Sequence, residues 1–154
     1  MGKIRLLIIC IFTFSCSKNL EIEQAKVVDN LQKYATENPE YEVVIKTSFG
    51  PIELKLYNET PMHRANFIRL IKNGYFNDRK IYRIVKGLCI QGGANNYDKL
   101  SYKIPAEFKP HLINKYGALA MARYSDNNPN KMSSASEFFI ITKSAFYEEN
   151  ELKN

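Results

Sequence analysis

The stretch that decides the fold reads IYRIVKGLCIQGG, residues 81–93. Its apolar runs predict two short strands, at residues 80–85 and 88–91, closed by the glycine pair Gly92-Gly93. A glycine pair at this place indicates a sharp turn of the backbone or a close approach to a neighbouring segment. Arg83 lies in the middle of the first strand, and from this stretch alone an outward-facing strand residue and a functional cation both remain open.

Apolar residues that alternate with polar ones predict a second hairpin ahead of this stretch. Residues 43–46 and 52–57 alternate, and Phe49-Gly50-Pro51 forms the turn between them, so one face of the hairpin is buried. Thr60 and Pro61 then predict the cap and the first turn of a helix that ends at Gly74. The buried stripe of that helix is predicted at Phe67, Leu70 and Ile71.

The second half of the chain predicts two more strands, at residues 117–122 and 137–142, with loops at 94–115 and 125–136. The tally is about six strands and one clear helix. The predicted fold class is therefore mainly β. With 154 residues, of which 45% are hydrophobic, the chain is long enough for a single core.

The N-terminus has the layout of a secretion signal. Lys3 and Arg5 precede an apolar run at residues 6–14 that is too short for a permanent membrane span. Ser15 before Cys16 resembles the lipobox of bacterial lipoproteins, although Thr13 stands where that pattern usually has leucine. The resemblance implies that Cys16 is acylated and holds the chain at a membrane, and a plain secretory signal is the alternative.

Three segments are expected: a signal peptide at 1–15, a lipid-anchored tether or short helix at 16–40, and a folded domain at 41–154. In the middle segment Val27, Leu31, Tyr34 and Ala35 recur at helical spacing until Asn38. A short amphipathic helix and a partly disordered tether both remain open.

Charge and composition argue against nucleic-acid binding, an internal disulfide and a metal site. The net charge is +6, but cations and anions are interspersed without a stripe of one sign, which argues against nucleic-acid binding. Once Cys10 and Cys16 are assigned to the signal and the anchor, Cys89 is left alone and no internal disulfide is available. His63 and His111 have no neighbouring ligand spacing, so we expect surface histidines and no metal.

Seven fragments, in this order, resemble the cyclophilin family of peptidyl-prolyl cis/trans isomerases. They are LKLY at 54–57, Pro61 with ANF at 65–67, GYF at 74–76, YRIVKG at 82–87, QGG at 91–93, GALAMA at 117–122 and SEFFI at 136–140. The resemblance implies an eight-stranded antiparallel barrel with a helix at each open end. It also implies a surface groove that binds an Xaa-Pro peptide bond and uses no cofactor.

By position, the resemblance implies roles for individual residues. Arg83 matches the catalytic arginine and Gln91 the groove glutamine. Leu88, Cys89 and Phe139 match the proline pocket, and Ala122 and Arg123 match the groove wall. Cys89 fits equally well as a small buried hydrophobe. Because Phe138 and Phe139 point to opposite faces of one strand, one of them belongs to the core.

Some positions depart from the family pattern. Tyr82 stands where a histidine is usual, Ile81 where an aromatic is usual, and Glu137 where a peptide-contacting glutamine is usual. A carboxylate at position 137 is expected to pair with Arg83 or Arg123 if the groove brings them close, and then to compete with substrate.

The resemblance implies that, after the strand at residues 137–142, members of the family continue with a pocket loop, a second helix and two last strands. Here Ala145-Phe146-Tyr147 is the aromatic segment near that loop, so the expected barrel is incomplete. Its unpaired edges would favour self-association or closure by the N-terminal helix or a second chain.

The chemistry of the expected reaction can be argued from the amide itself. Rotation about a peptide bond costs about 18–20 kcal/mol, because the nitrogen shares its lone pair with the carbonyl. In the twisted transition state that nitrogen becomes basic, so a donor such as the Arg83 guanidinium binds this state best. We therefore predict an isomerase that assists protein folding in the bacterial envelope, facing the periplasm or the exterior. A non-catalytic binder of proline-containing polypeptides and an inactive remnant are the alternatives.

Overall fold

The structure is a computed structural model that describes residues 19–94 and 98–143. The predicted signal segment, Cys16 and the aromatic triplet at 145–147 lie outside the described residues. The elements are a 3-10 turn Gln24–Lys26, α1 Val27–Glu37, β1 Glu42–Thr47, β2 Gly50–Lys55, α2 Pro61–Lys72, β3 Ile81–Val85, β4 Cys89–Gly93, β5 Lys103–Ile104, β6 Leu119–Met121, β7 Ser133–Ser134 and β8 Glu137–Ile141. Strands outnumber helices, which confirms the mainly β prediction.

The strands form three antiparallel sheets within the described residues. β1 and β2 make the predicted hairpin, β5 pairs with β7, and the largest sheet has the order β3-β4-β8-β6. No closed barrel is formed among these residues, so β3 and β6 are the edges of the four-stranded sheet. The short β5 and β7 lie in segments that the sequence predicts as loops, because a two-residue bridge leaves no alternation to detect.

One side of the four-stranded sheet faces α2 and the first hairpin. Phe67 of α2 packs against Phe138 and Ile140 of β8, and Phe76 completes an aromatic group with edge contacts to Phe138. The stripe prediction for α2 holds for Phe67 and Leu70 and is wrong for Ile71, which is 37% exposed. The other buried apolar residues of α2 are Ala65 and Ile68.

Of the two alternatives for the N-terminal segment, a helix and a disordered tether, the structure has the helix, and α1 packs against the rest of the fold. Val27 and Leu31 of α1 are fully buried against Leu70, Tyr102 and Ile104. These side chains form a second core next to α2. The segment before β1 therefore contributes to the folded structure.

The buried side chain of Arg64, in α2, connects this helix to the C-terminal end of α1 by hydrogen bonds. Its guanidinium donates to the carbonyls of Ala35, Asn38 and Glu40, which lie at and just after the end of α1. The side chain is 8% exposed, so these bonds compensate for burying a charge.

The first turn of α2 is capped from a distant segment. Thr60 is the N-cap residue as predicted, but its side chain makes no cap hydrogen bond. The Glu107 carboxylate accepts instead from the backbone amides of Met62 and His63, at 3.1 and 2.9 Å. A carboxylate here also complements the positive end of the helix dipole.

His63 is not the surface residue that the sequence predicts. Its Nδ1 lies 2.6 Å from Glu107 Oε2 and its Nε2 lies 3.1 Å from Ser133 Oγ, with a side chain only 18% exposed. His111 is exposed, as predicted, beside Glu59.

Candidate active site

The sheet face opposite the core carries the predicted site residues. Arg83 of β3, Gln91 of β4, Phe139 of β8 and Ala120 of β6 are paired in register across the four strands. Directly paired residues of antiparallel strands point to the same face. These four residues therefore form one row, which we call the Arg83 row.

A β-bulge in β3 brings a second side chain to this row. Ile81 pairs with Gly92 and Arg83 pairs with Gln91, so Tyr82 and Arg83 together oppose Gln91. Neighbours along a regular strand point to opposite faces, and the bulge removes that alternation. As a result, both Tyr82 and Arg83 hydrogen-bond to Gln91.

The polar groups form a continuous chain of hydrogen bonds. Arg83 Nη1 donates to Gln91 Oε1 at 3.0 Å, and Gln91 Nε2 donates to the Tyr82 hydroxyl at 2.8 Å. Tyr82 in turn donates to Glu137 Oε1 at 3.2 Å. The chain connects a cation at the open edge of the sheet to a buried carboxylate.

Glu137 is 4% exposed and is surrounded by donors. Besides Tyr82, it accepts from Tyr124 at 2.8 Å and Ser134 at 3.0 Å, and Lys99 Nζ lies 2.5 Å away. Burial by itself would raise the pKa of the Glu137 carboxyl, but the hydrogen bonds from Lys99, Tyr124 and Ser134 outweigh it and lower the pKa.

The expected pairing of Glu137 with an arginine is therefore wrong. Arg83 donates to Gln91, and Arg123 is exposed with its guanidinium over the Phe108 ring, 5.5 Å from the ring centre. Lys99 supplies the opposite charge instead. The sequence does not predict this pairing, because Lys99 lies in a loop far from Glu137 in sequence.

The predicted pocket residues surround the Arg83 row. Cys89 pairs with Ile141, two residues from the Arg83 row on both β4 and β8, and its free thiol is buried, as expected for a small hydrophobe. Leu88 lies in the turn before it and is 42% exposed. Ala122 is buried, and its amide donates to the Glu137 carbonyl at 2.8 Å.

The register also separates the two phenylalanines of β8. Phe138 pairs with Gly92 and Met121 on the core side, and it contacts the ring of Phe67 edge-on. Phe139 lies in the Arg83 row. The sequence predicts one core residue of the two, and the register identifies it as Phe138.

The glycine pair allows the close approach that its sequence predicts. Gly93 has φ +100°, and a Cβ at this position would lie 2.1 Å from the Ser136 carbonyl oxygen. A Cβ on Gly92 would lie 2.8 Å from Ile81. Ile81 is next to the bulge and Ser136 is next to Glu137. The absence of side chains at Gly92 and Gly93 therefore lets both segments lie close to β4.

The residues described include no group of three histidine, cysteine or acidic side chains placed to bind a metal ion. In the same part of the chain, none of the helices is both long and apolar enough to span a membrane.

The comparison with family models gives the decisive observation, since residues 41–152 match the family described as cyclophilin type peptidyl-prolyl cis-trans isomerase/CLD. The chain belongs to the cyclophilin family. This membership confirms the resemblance predicted from the seven sequence fragments. It also explains why Arg83, Gln91 and Phe139 share one face, although the role of each residue in this chain stays a prediction.

Curated relatives include a bacterial and a fungal protein. The chain is 39% identical over 103 residues to the peptidyl-prolyl cis-trans isomerase of Acinetobacter baylyi, covering 64% of the chain and 53% of the relative. It is 38% identical over 107 residues to the peptidyl-prolyl isomerase CWC27 of Yarrowia lipolytica, covering 66% of the chain and 30% of the relative. The chain thus spans about half, or less, of the length of these relatives.

Solved structures agree on the fold. A cyclophilin type peptidyl-prolyl cis-trans isomerase from Cryptosporidium parvum aligns with a TM-score of 0.61 and 27% identity, covering 68% of each chain. The cyclophilin AquaCyp293 from Hirschia baltica aligns with a TM-score of 0.51 and 17% identity, over 81% of this chain and 66% of that one. The second likeness concerns the fold alone.

Proposed function

We propose that this cyclophilin-type chain accelerates cis/trans rotation about Xaa-Pro bonds of polypeptides. The observation that carries the proposal is the Arg83 row, which places a guanidinium, an amide and an aromatic ring side by side on one sheet face. The guanidinium is exposed, and its Nη1 is held by Gln91. A peptide lying along this face would meet a fixed cation next to apolar side chains.

Each part of the row has a function in this mechanism. Phe139 and the nearby Cys89 and Leu88 would contact the proline ring and hold it while the other side of the bond turns. Arg83 would donate a hydrogen bond to the proline nitrogen once that nitrogen becomes basic, which stabilises the twisted state more than either planar isomer. Apolar contact also removes water that stabilises the planar amide.

Two-dimensional exchange NMR on an Ala-Pro peptide tests the proposal directly. The full chain in mild detergent is compared with Arg83→Ala and with Lys46→Ala, which removes one exposed cation from β1 as a matched control. We expect cis/trans exchange peaks with the wild type and Lys46→Ala, and their loss with Arg83→Ala. Equal exchange with Arg83→Ala contradicts the role of Arg83, and peptide binding without exchange identifies a non-catalytic binder.

We also propose that the protein acts in the bacterial envelope, anchored by a lipid on Cys16. The support is the N-terminal pattern of two cations, an apolar run and a small residue before Cys16. Metabolic labelling with a radioactive fatty acid should label the wild type and not Cys16→Ser. Labelling of Cys16→Ser, or no labelling of the wild type, contradicts the anchor.

A further proposal concerns association of two copies through the edge strand β3. Ile84 lies on the core-facing side of β3 and is 73% exposed, although Ile90, which pairs with it on β4, packs against the core. An exposed apolar edge strand favours strand pairing with a second chain. The molecular mass in detergent, measured by light scattering, should be that of a dimer and fall to the monomer in Ile84→Lys; a wild-type monomer contradicts this.

A further inference from the structure

We propose that Tyr82 and Glu137 are positioning residues for Arg83, because they hold Gln91 in the one orientation in which it accepts a hydrogen bond from the guanidinium. The inference rests on the proposed isomerase function and assigns roles to two of the three positions where the sequence departs from the family pattern. It follows from the geometry of one hydrogen-bond chain, Arg83 to Gln91 to Tyr82 to Glu137.

The direction of every bond in this chain is determined by its two ends. A guanidinium only donates and an ionised carboxylate only accepts. Arg83 therefore requires the oxygen of the Gln91 amide, which turns the amide nitrogen toward Tyr82. The Tyr82 oxygen accepts from that nitrogen and gives its own proton to Glu137. No other arrangement satisfies all three bonds.

Glu137 is suited to anchor the chain because both of its carboxylate oxygens and its backbone are bonded to neighbouring segments. Its second oxygen is held by Ser134 and Lys99, and its first is shared by Tyr82 and Tyr124. Its backbone is bonded to Ala122 and paired with Gly93. The carboxylate stays ionised because these donors favour its charged form.

Tyr82 connects the buried Glu137 carboxylate to the exposed Arg83 row, because its hydroxyl both donates and accepts a hydrogen bond. Partial burial and the negative charge of Glu137 raise its pKa to about 12, so the hydroxyl stays protonated as a donor at neutral pH. Only the bulge in β3 lets this hydroxyl reach Gln91. Without the hydroxyl, the amide nitrogen of Gln91 loses its acceptor, so Arg83 alone orients the amide and the direction of the guanidinium is less strongly fixed.

The test compares Tyr82→Phe with Tyr116→Phe in the full chain. Both changes remove one hydroxyl from an exposed tyrosine, but Tyr116 is 68% exposed and belongs to no part of the site. We expect Tyr82→Phe to lower kcat about fivefold to tenfold with KM unchanged, as for the loss of one hydrogen bond that acts in the transition state. Tyr116→Phe should match the wild type.

A second measurement, on the free protein, reads the network without any peptide. The side-chain amide signals of Gln91 and the Nε signal of Arg83 should shift in Tyr82→Phe and stay in place in Tyr116→Phe. Unmoved signals overturn the network. Shifted signals with an unchanged kcat overturn its catalytic role, and a raised KM with unchanged kcat assigns Tyr82 to substrate contact instead.

The two measurements also separate this inference from the proposed function. A wild type without exchange activity refutes the isomerase and, with it, the positioning role. The Gln91 and Arg83 signals then still decide whether the hydrogen-bond chain exists.

Discussion

Replacing Leu31 by alanine tests whether the segment before the cyclophilin-type domain belongs to its core. Leu31 lies in the middle of α1 and is fully buried among side chains of α2 and of the segment around β5. A tether would tolerate the loss of this side chain. A core helix would not, because the surrounding side chains cannot close the space completely.

The expected loss follows from the burial. Leucine to alanine removes three carbon atoms, and burying each contributes about 0.8 kcal/mol, so the transfer term is about 2.4 kcal/mol. The cavity left behind adds to this, and we expect a total of about 3–4 kcal/mol. For a chain of this size that loss lowers Tm by about 10 °C.

Thermal unfolding of the full chain, followed by circular dichroism, measures the effect. Val28→Ala is the matched control, since Val28 is the neighbouring residue of α1 and is 37% exposed. We expect its Tm to stay within about 3 °C of the wild type. Equal Tm values for Leu31→Ala and Val28→Ala would refute the conclusion that α1 is part of the folded core.

Two more predictions follow from the same structure. Gly93→Ala should lose about 3 kcal/mol or more, because its Cβ would lie 2.1 Å from the Ser136 oxygen, whereas Gly117→Ala meets no atom within 4 Å and should lose only about 1 kcal/mol; chemical denaturation compares them. Burial tends to raise the pKa of Glu107, but hydrogen bonds from His63 and the amide of Met62 outweigh it, so its pKa lies below 4.5. As the pH falls, the unfolded chain therefore binds a proton at Glu107 before the folded chain does. The stability that Glu107 contributes is complete above about pH 4.5 and is lost as the pH falls through the folded pKa. The urea midpoint should fall less steeply with acid in Glu107→Gln, and parallel curves would contradict the prediction.

Much of the fold could be predicted from local patterns. The first hairpin, the helix after Pro61 and the strands around Arg83 have alternating or helical periodicity that survives in the structure. Such periodicity reports which face of an element is buried, and that is a local property of the chain. The short strands β5 and β7 have no period to read, and each forms only because the other lies beside it.

The candidate site could be predicted only in part. Arg83, Gln91 and Phe139 came from the family resemblance, and the register places them in one row. Lys99 could not be predicted, since it lies in a loop far from Glu137 in sequence and reaches it only in the folded chain. Ser134 is three residues from Glu137, but it lies in the short strand β7, where the sequence shows no periodicity. The partly buried His63 was missed for a similar reason, because its partner Glu107 follows 44 positions later.

The sequence by itself determined the family and the mainly β fold, and it singled out Arg83 as the candidate catalytic arginine. Those features depend on residue types and on spacing within single elements. The tertiary structure alone decided that Tyr82 turns to the same side as Arg83 and that Glu137 pairs with Lys99 instead of an arginine. A bulge and a long-range ion pair depend on how separate segments fit together, and the free energy of that fit is not encoded in any short stretch of residues.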